Sequence, residues 1–97
     1  MAPAAACSVT IRFGSYAMGI DGATEAAVEK LLADNRDVKE VTRSAAGREG
    51  EYALCISTRD AAATARLFDG VAALLPERPR GPISVEGAGR RLEAPAR

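Results

Sequence analysis

The chain has 97 residues, the length of a single domain, and its 13 basic side chains equal its 13 acidic ones in number. A neutral domain lacks the electrostatic attraction that holds proteins to a phosphate backbone, so we do not expect it to bind nucleic acid. The sequence has no histidine and no acidic cluster with the spacing of a metal site, so we expect no metal, no cofactor and no catalytic residues.

The chain has two cysteines, Cys7 and Cys55, which are too few and too far apart in sequence for a zinc site or a disulfide framework. No apolar run approaches the roughly 20 residues of a membrane-spanning helix. The apolar start is short and has no basic region, unlike a signal peptide. We therefore expect a cytoplasmic protein with reduced thiols and no contact with a membrane.

The residues predict six secondary-structure elements. Polar and apolar side chains alternate over residues 8–13, which indicates a first strand. Asp21 has the position of an N-cap, and residues 23–35 have the apolar spacing of the helix that would follow it. The same rules predict two strands joined by a hairpin, a second helix stopped by a proline and a short last strand, at residues 38–45, 51–58, 59–77 and 83–86.

The order β-α-β-β-α-β over residues 7–87 resembles the ferredoxin-like plait, also called the split βαβ fold. The resemblance implies an α+β domain with a four-stranded antiparallel sheet, the first and third strands at its centre and two helices on one face. Residues 1–6 and 88–97 are expected to be flexible tails. The resemblance is to the superfamily, and no motif identifies one family within it.

The alternation divides the predicted sheet into a covered face and an open face. The covered face, under the helices, holds the apolar set Val9, Ile11, Phe13, Tyr52, Leu54, Ile56, Ile83 and Val85, and Cys7 has the same parity. The open face holds mostly small polar residues: Thr10, Arg12, Ala53, Cys55, Ser57, Ser84 and Glu86. Small side chains let a second sheet approach closely, so we expect a homodimer or a protein partner on this face.

The loop between the first strand and the first helix is the best candidate for a ligand site. The candidate ligand-binding residues are Arg12, Gly14, Tyr16, Met18 and Gly19. Glycine N–H groups at the start of a helix bind anions, and an arginine clamps a carboxylate or a phosphate. Each feature also has a structural explanation: turn geometry for the glycines, a cross-strand pair with Glu86 for Arg12, and cover for the end of the core for the two larger side chains.

Two classes of function remain open. In the first, the protein is a non-catalytic interaction or regulatory module that self-associates or binds a protein partner through its open sheet face. In the second, it binds a small molecule or an anion, or is a minor enzyme, through the first loop and Arg12. The second class resembles, in outline only, the ACT-like plaits that bind effectors at dimer interfaces. With no histidine to act as a base, Cys55 is interpreted as a packing residue rather than a nucleophile.

Overall fold

A computed structural model describes residues 7–16, 19–45 and 50–95 of the chain. Within these ranges, one antiparallel sheet packs against two helices. The elements in chain order are β1 (Val9–Phe13), α1 (Gly22–Ala33), β2 (Val38–Ala45), β3 (Tyr52–Thr58), α2 (Ala61–Ala72), β4 (Ile83–Gly87) and β5 (Arg90–Ala94). The strand order across the sheet is β2-β3-β1-β4-β5, so β1 lies at the centre and β2 and β5 form the two edges.

The prediction of a four-stranded sheet is wrong, because a fifth strand extends the sheet beside β4. This strand lies within residues 88–97, which were expected to form a flexible tail. It pairs with β4 over five residue pairs, from Ile83 opposite Ala94 to Gly87 opposite Arg90. The ordered domain therefore continues past residue 87, while residues 1–6, the other expected tail, lie outside the described residues.

A tight turn makes this fifth strand possible. Ala88 and Gly89 connect β4 to β5 and have positive φ angles of 52° and 72°. Two successive residues with positive φ are typical of a type I′ turn, whose twist matches that of the flanking strands. Gly89 adopts this backbone without steric cost, whereas the Cβ of Ala88 makes it unfavourable by about 1 kcal/mol.

Replacing Ala88 with asparagine is expected to stabilise the protein by about 1 kcal/mol, because asparagine tolerates the left-handed backbone that this turn requires. Urea unfolding of the variant and the parent protein measures the change. Ala88→Val is the matched control and is expected to destabilise the protein, since β-branched residues are poorly suited to positive φ. An asparagine variant no more stable than the valine variant would contradict the turn assignment.

The apolar core lies between the sheet and the helices, and the predicted covered face is confirmed. All eight predicted strand residues are at most 5% exposed. The helices add Val28 and Leu32 from α1, and Leu67, Phe68 and Val71 from α2. Ala63 and Thr64 of α2 are also buried, whereas Ala61 at the start of the helix is exposed. No helix in the described ranges is long and apolar enough to cross a membrane.

The two cysteines form a disulfide, so the prediction of reduced thiols is wrong. Their Cα atoms lie 5.1 Å apart although 48 positions separate them in sequence. Antiparallel pairing of β1 with β3 brings them together, with Val9 opposite Ile56 and Thr10 opposite Cys55. Cys7 precedes the first residue of β1, so the parity rule that placed it on the covered face does not apply there.

Replacing both cysteines with serine is expected to lower the free energy of unfolding by about 4 kcal/mol, since the bond closes a loop of roughly 50 residues in the unfolded chain. Urea unfolding of the parent protein and the double variant measures this loss. A reducing agent should lower the unfolding midpoint of the parent protein and leave that of the variant unchanged. A parent protein insensitive to reductant would contradict a stabilising bond.

Candidate functional site

A groove of about 450 Å³ lies on the open face of the sheet, where β1 runs into the first loop. This volume is within the range of pockets that bind small molecules. Its lining comes from three segments: Arg12, Gly14 and Tyr16 of β1 and the first loop; Pro82, Ile83 and Ser84 at the start of β4; and Arg91, Glu93, Ala94 and Pro95 at the end of the chain. We refer to this surface as the Arg12 groove.

Arg12 is the cation of β1 in this groove. It lies on the central strand, opposite Ala53 on one side and Ser84 on the other, and its side chain is exposed. Neither neighbour carries a charge. Within the described part of the chain, no ion pair or hydrogen bond engages the guanidinium of Arg12. The pair with Glu86 considered from the sequence does not form.

Glu86 instead contacts an arginine of the fifth strand. Arg91 lies opposite Glu86 and donates hydrogen bonds to it and, at 3.0 Å, to Glu93. The hydrogen bond to Glu93 and the attraction of both carboxylates raise the pKa of Arg91 above its ordinary value. All three side chains are well exposed, so these pairs add little stability. Their consequence is local, because Glu86 and Glu93 both pair with Arg91 and neither pairs with Arg12.

The first loop is anchored at two points, which hold Tyr16 beside the groove. The Gly14 N–H donates to the carbonyl oxygen of Pro82 at 2.7 Å, and the Ser15 N–H donates to a carboxylate oxygen of Glu51 at 2.9 Å. A Cβ on Gly14 would lie 2.9 Å from Cγ of Pro82, so only glycine fits without movement of its neighbours. With its backbone held in this way, Tyr16 remains 55% exposed at the groove.

Asp21 fixes the far end of the same loop and is confirmed as the N-cap of α1. One carboxylate oxygen accepts the Thr24 N–H at 3.0 Å, and the other accepts the Arg80 N–H at 2.9 Å. Asp21 therefore ties the start of α1 to the segment that enters β4. Burial by itself raises the pKa of Asp21, but the hydrogen bonds from Arg80 and Thr24 outweigh it and the net pKa is lowered.

The stability that Asp21 contributes is expected to disappear in acid. Because the folded pKa lies below the ordinary value of 3.8, this contribution is present above about pH 4 and is lost as the pH falls through the folded pKa. Asp21→Asn is expected to cost about 2 kcal/mol at neutral pH, since a side-chain N–H would face the Arg80 N–H. Urea unfolding between pH 2 and pH 7 measures both effects. The variant should show the weaker pH dependence; parallel curves would exclude Asp21 as the cause.

The structure brings together only part of the predicted ligand set. Arg12, Gly14 and Tyr16 line one groove. Gly19 is not part of that lining, and its N–H donates to the Ser15 hydroxyl at 2.9 Å. The helix start beside it is occupied by the Asp21 carboxylate rather than open to an anion. Met18 lies outside the described residues.

The residues predicted for an open-sheet interface differ in their contacts and in their exposure to solvent. Cys55 is neither free nor a simple packing residue, because its sulfur is bonded to Cys7. Thr10 and Glu86 face each other across β1 and β4, while Ala53 and Ser57 lie half-buried on β3. Together with Arg12 they form a polar surface with small side chains at its centre, as the alternation predicted.

Sequence reasoning missed the residues that form the distal wall of the Arg12 groove. Arg91, Glu93 and Pro95 all belong to the segment interpreted as a tail. A signal was present, since residues 90–94 alternate in character directly after a glycine-containing turn. Leu92 and Ala94 are the apolar members of that alternation, and Leu92 is 39% exposed, so the hydrophobic pattern is weak.

Comparisons of the chain with protein-family models, with curated proteins and with solved structures found no significant match. Among the residues that the structure describes, no three histidine, cysteine, aspartate or glutamate side chains lie close enough together to hold a metal ion.

Proposed function

We propose that the protein is a small-molecule-binding domain whose Arg12 groove takes a compact aromatic or apolar carboxylate. The observation that carries this proposal is the guanidinium of Arg12, which is exposed in the groove without an acidic partner among the described residues. Small side chains on both neighbouring strands leave space above it. A planar carboxylate forms two parallel hydrogen bonds with such a guanidinium.

The remaining lining supports an apolar body on the ligand. Tyr16 presents an exposed aromatic ring, and Pro82 and Pro95 add apolar surface. The hydroxyl of Ser84 lies on the strand next to Arg12 and is available to orient a polar substituent. One cation with an aromatic wall matches an organic acid with a ring or a short alkyl body.

The charges favour a monoanion over a phosphate. Glu93 lines the groove and Glu86 lies on the same strand as Ser84, and both share one arginine, Arg91, as an ion-pair partner. A second negative charge on the ligand would meet these carboxylates with no further free cation on β1 to offset it. We propose no reaction, since none of the groove residues forms a nucleophile–base pair.

Arg12→Gln is expected to weaken the binding of benzoate, used as the probe, by roughly 10- to 100-fold, because it removes a charge-assisted hydrogen-bonded pair. Titration followed by two-dimensional amide NMR measures the dissociation constant. In the parent protein, the amide signals of Tyr16 and Ser84 should move. Arg36→Gln is the matched control, since Arg36 is exposed and does not line the groove.

Benzamide, which has the shape of benzoate without its charge, separates the carboxylate contribution from that of the ring. The proposal expects benzamide to bind the parent protein much more weakly than benzoate. Equal affinities for the two compounds, or equal losses in the Arg12 and Arg36 variants, would contradict it. A benzoate titration that moves only signals far from the groove would contradict it as well.

Self-association or partner binding through the open face stays a separate prediction. Small residues at the centre of this face support it, whereas burying Arg12, Glu86 and Arg91 against another sheet would require removing three charges from water. Light scattering at several concentrations measures the solution mass. A stable dimer that is lost on Ala53→Arg would favour this class of function over a free Arg12 groove.

A further inference from the structure

A second groove, of about 400 Å³, opens beside the disulfide on the same face of the sheet. Its lining is Cys7, Ser8, Thr10, Glu86, Gly87, Gly89, Arg90 and Arg91. Cys7 is exposed, whereas Cys55, in the middle of β3, is half-buried. Cys7 is therefore more accessible to solvent than Cys55, and Cys7 is the cysteine that lines the groove.

The charged side chains of this second groove are paired with one another or with neighbouring carboxylates. Two guanidinium groups, those of Arg90 and Arg91, and one carboxylate, that of Glu86, line it. Arg90 forms an ion pair with Asp69 at 2.8 Å, and Arg91 forms ion pairs with Glu86 and Glu93, so access rather than an excess of positive charge distinguishes Cys7.

The strands next to the disulfide are joined by hydrogen bonds that do not involve sulfur. The Ser8 N–H donates to the Ile56 carbonyl at 2.9 Å, and the Thr58 N–H donates to the Ser8 hydroxyl at 3.1 Å. Val9 and Ile56 lie fully buried on the opposite face of the sheet. Neither these hydrogen bonds nor the buried side chains of Val9 and Ile56 involve the sulfur atoms, so we expect the domain to stay folded when the disulfide opens.

We propose that the Cys7–Cys55 disulfide is a thiol-exchange site, attacked at Cys7 by a low-molecular-weight thiol while the domain stays folded. The incoming thiolate attacks Sγ of Cys7 and forms a mixed disulfide. The Cys7–Cys55 bond breaks, and its electron pair leaves on Cys55 as a thiolate. A second small-molecule thiolate then attacks the sulfur of the first small thiol in this mixed disulfide. Cys7 leaves as a thiolate, and the two small thiols leave joined to each other by a disulfide. Two electrons pass from the two small thiols to the protein, which ends as a dithiol.

The test uses the full chain and reduced glutathione as the probe thiol, without denaturant. The reaction is stopped at early times with N-ethylmaleimide, and the modified cysteines are identified by peptide mass mapping. We expect glutathione on Cys7 and maleimide on Cys55, with roughly a tenfold preference over the reverse pattern. The initial rate should rise in proportion to glutathione concentration.

The control is the same reaction in concentrated urea, where the unfolded chain should give little preference between the two cysteines. A native-state rate that levels off at the rate of global unfolding, measured separately by stopped-flow, would overturn the proposal. A native-state preference for Cys55, or none, would overturn it as well. Neither result depends on whether benzoate binds in the Arg12 groove.

Discussion

The pairing of β1 between β3 and β4 is the constraint on which both the core and the candidate sites depend. Because β1 is hydrogen-bonded on both sides, the alternation of its side chains is fixed in the middle of the sheet. Val9, Ile11 and Phe13 are directed into the core and are at most 1% exposed. The same alternation places Thr10 and Arg12 on the opposite face, where both grooves open. A slip of one residue would exchange the two sets.

Polar groups on the helix side of the sheet are used for stability. The Tyr52 hydroxyl donates to a Glu25 carboxylate oxygen at 2.6 Å, and burial together with that carboxylate raises the pKa of Tyr52. The guanidinium of Arg43 lies 3.7 Å from the centre of the Tyr52 ring. In the described part of the chain, every buried side-chain nitrogen and oxygen has a hydrogen-bond partner. The described part of the core therefore offers no unused polar atom to a ligand, whereas the open face exposes the guanidinium of Arg12.

The hairpin formed by β4 and β5 determines how the charged side chains of the open face are paired. Without β5, Glu86 would face solvent beside the central strand, and Arg12 would be its nearest cation on that face by register. With β5 present, Arg91 lies opposite Glu86 and forms ion pairs with both Glu86 and Glu93. The same strand supplies one wall of the Arg12 groove. An element that adds only Ala94 to the buried apolar set thus determines both the shape and the charge of the candidate site.

Local rules applied to the sequence determined the first four strands, the two helices, the N-cap of α1 and the division of the sheet into two faces. These features depend on neighbours within a few positions: the period of two in β1 and β3, and the N-cap geometry of Asp21. For the same reason, Arg12, Gly14 and Tyr16 could be selected as candidates before any contact between them was known.

Tertiary structure alone decided which distant residues meet. The disulfide joins positions 48 apart, and only the register of β1 against β3 brings Cys7 within bonding distance of Cys55. The fifth strand pairs with a single neighbour and buries little apolar surface, so its hydrophobic pattern is faint although its turn is well formed. Arg12 has no ion-pair partner among the described residues because β5 pairs with β4. This pairing places Arg91 opposite Glu86, so Glu86 forms its ion pair with Arg91 and not with Arg12.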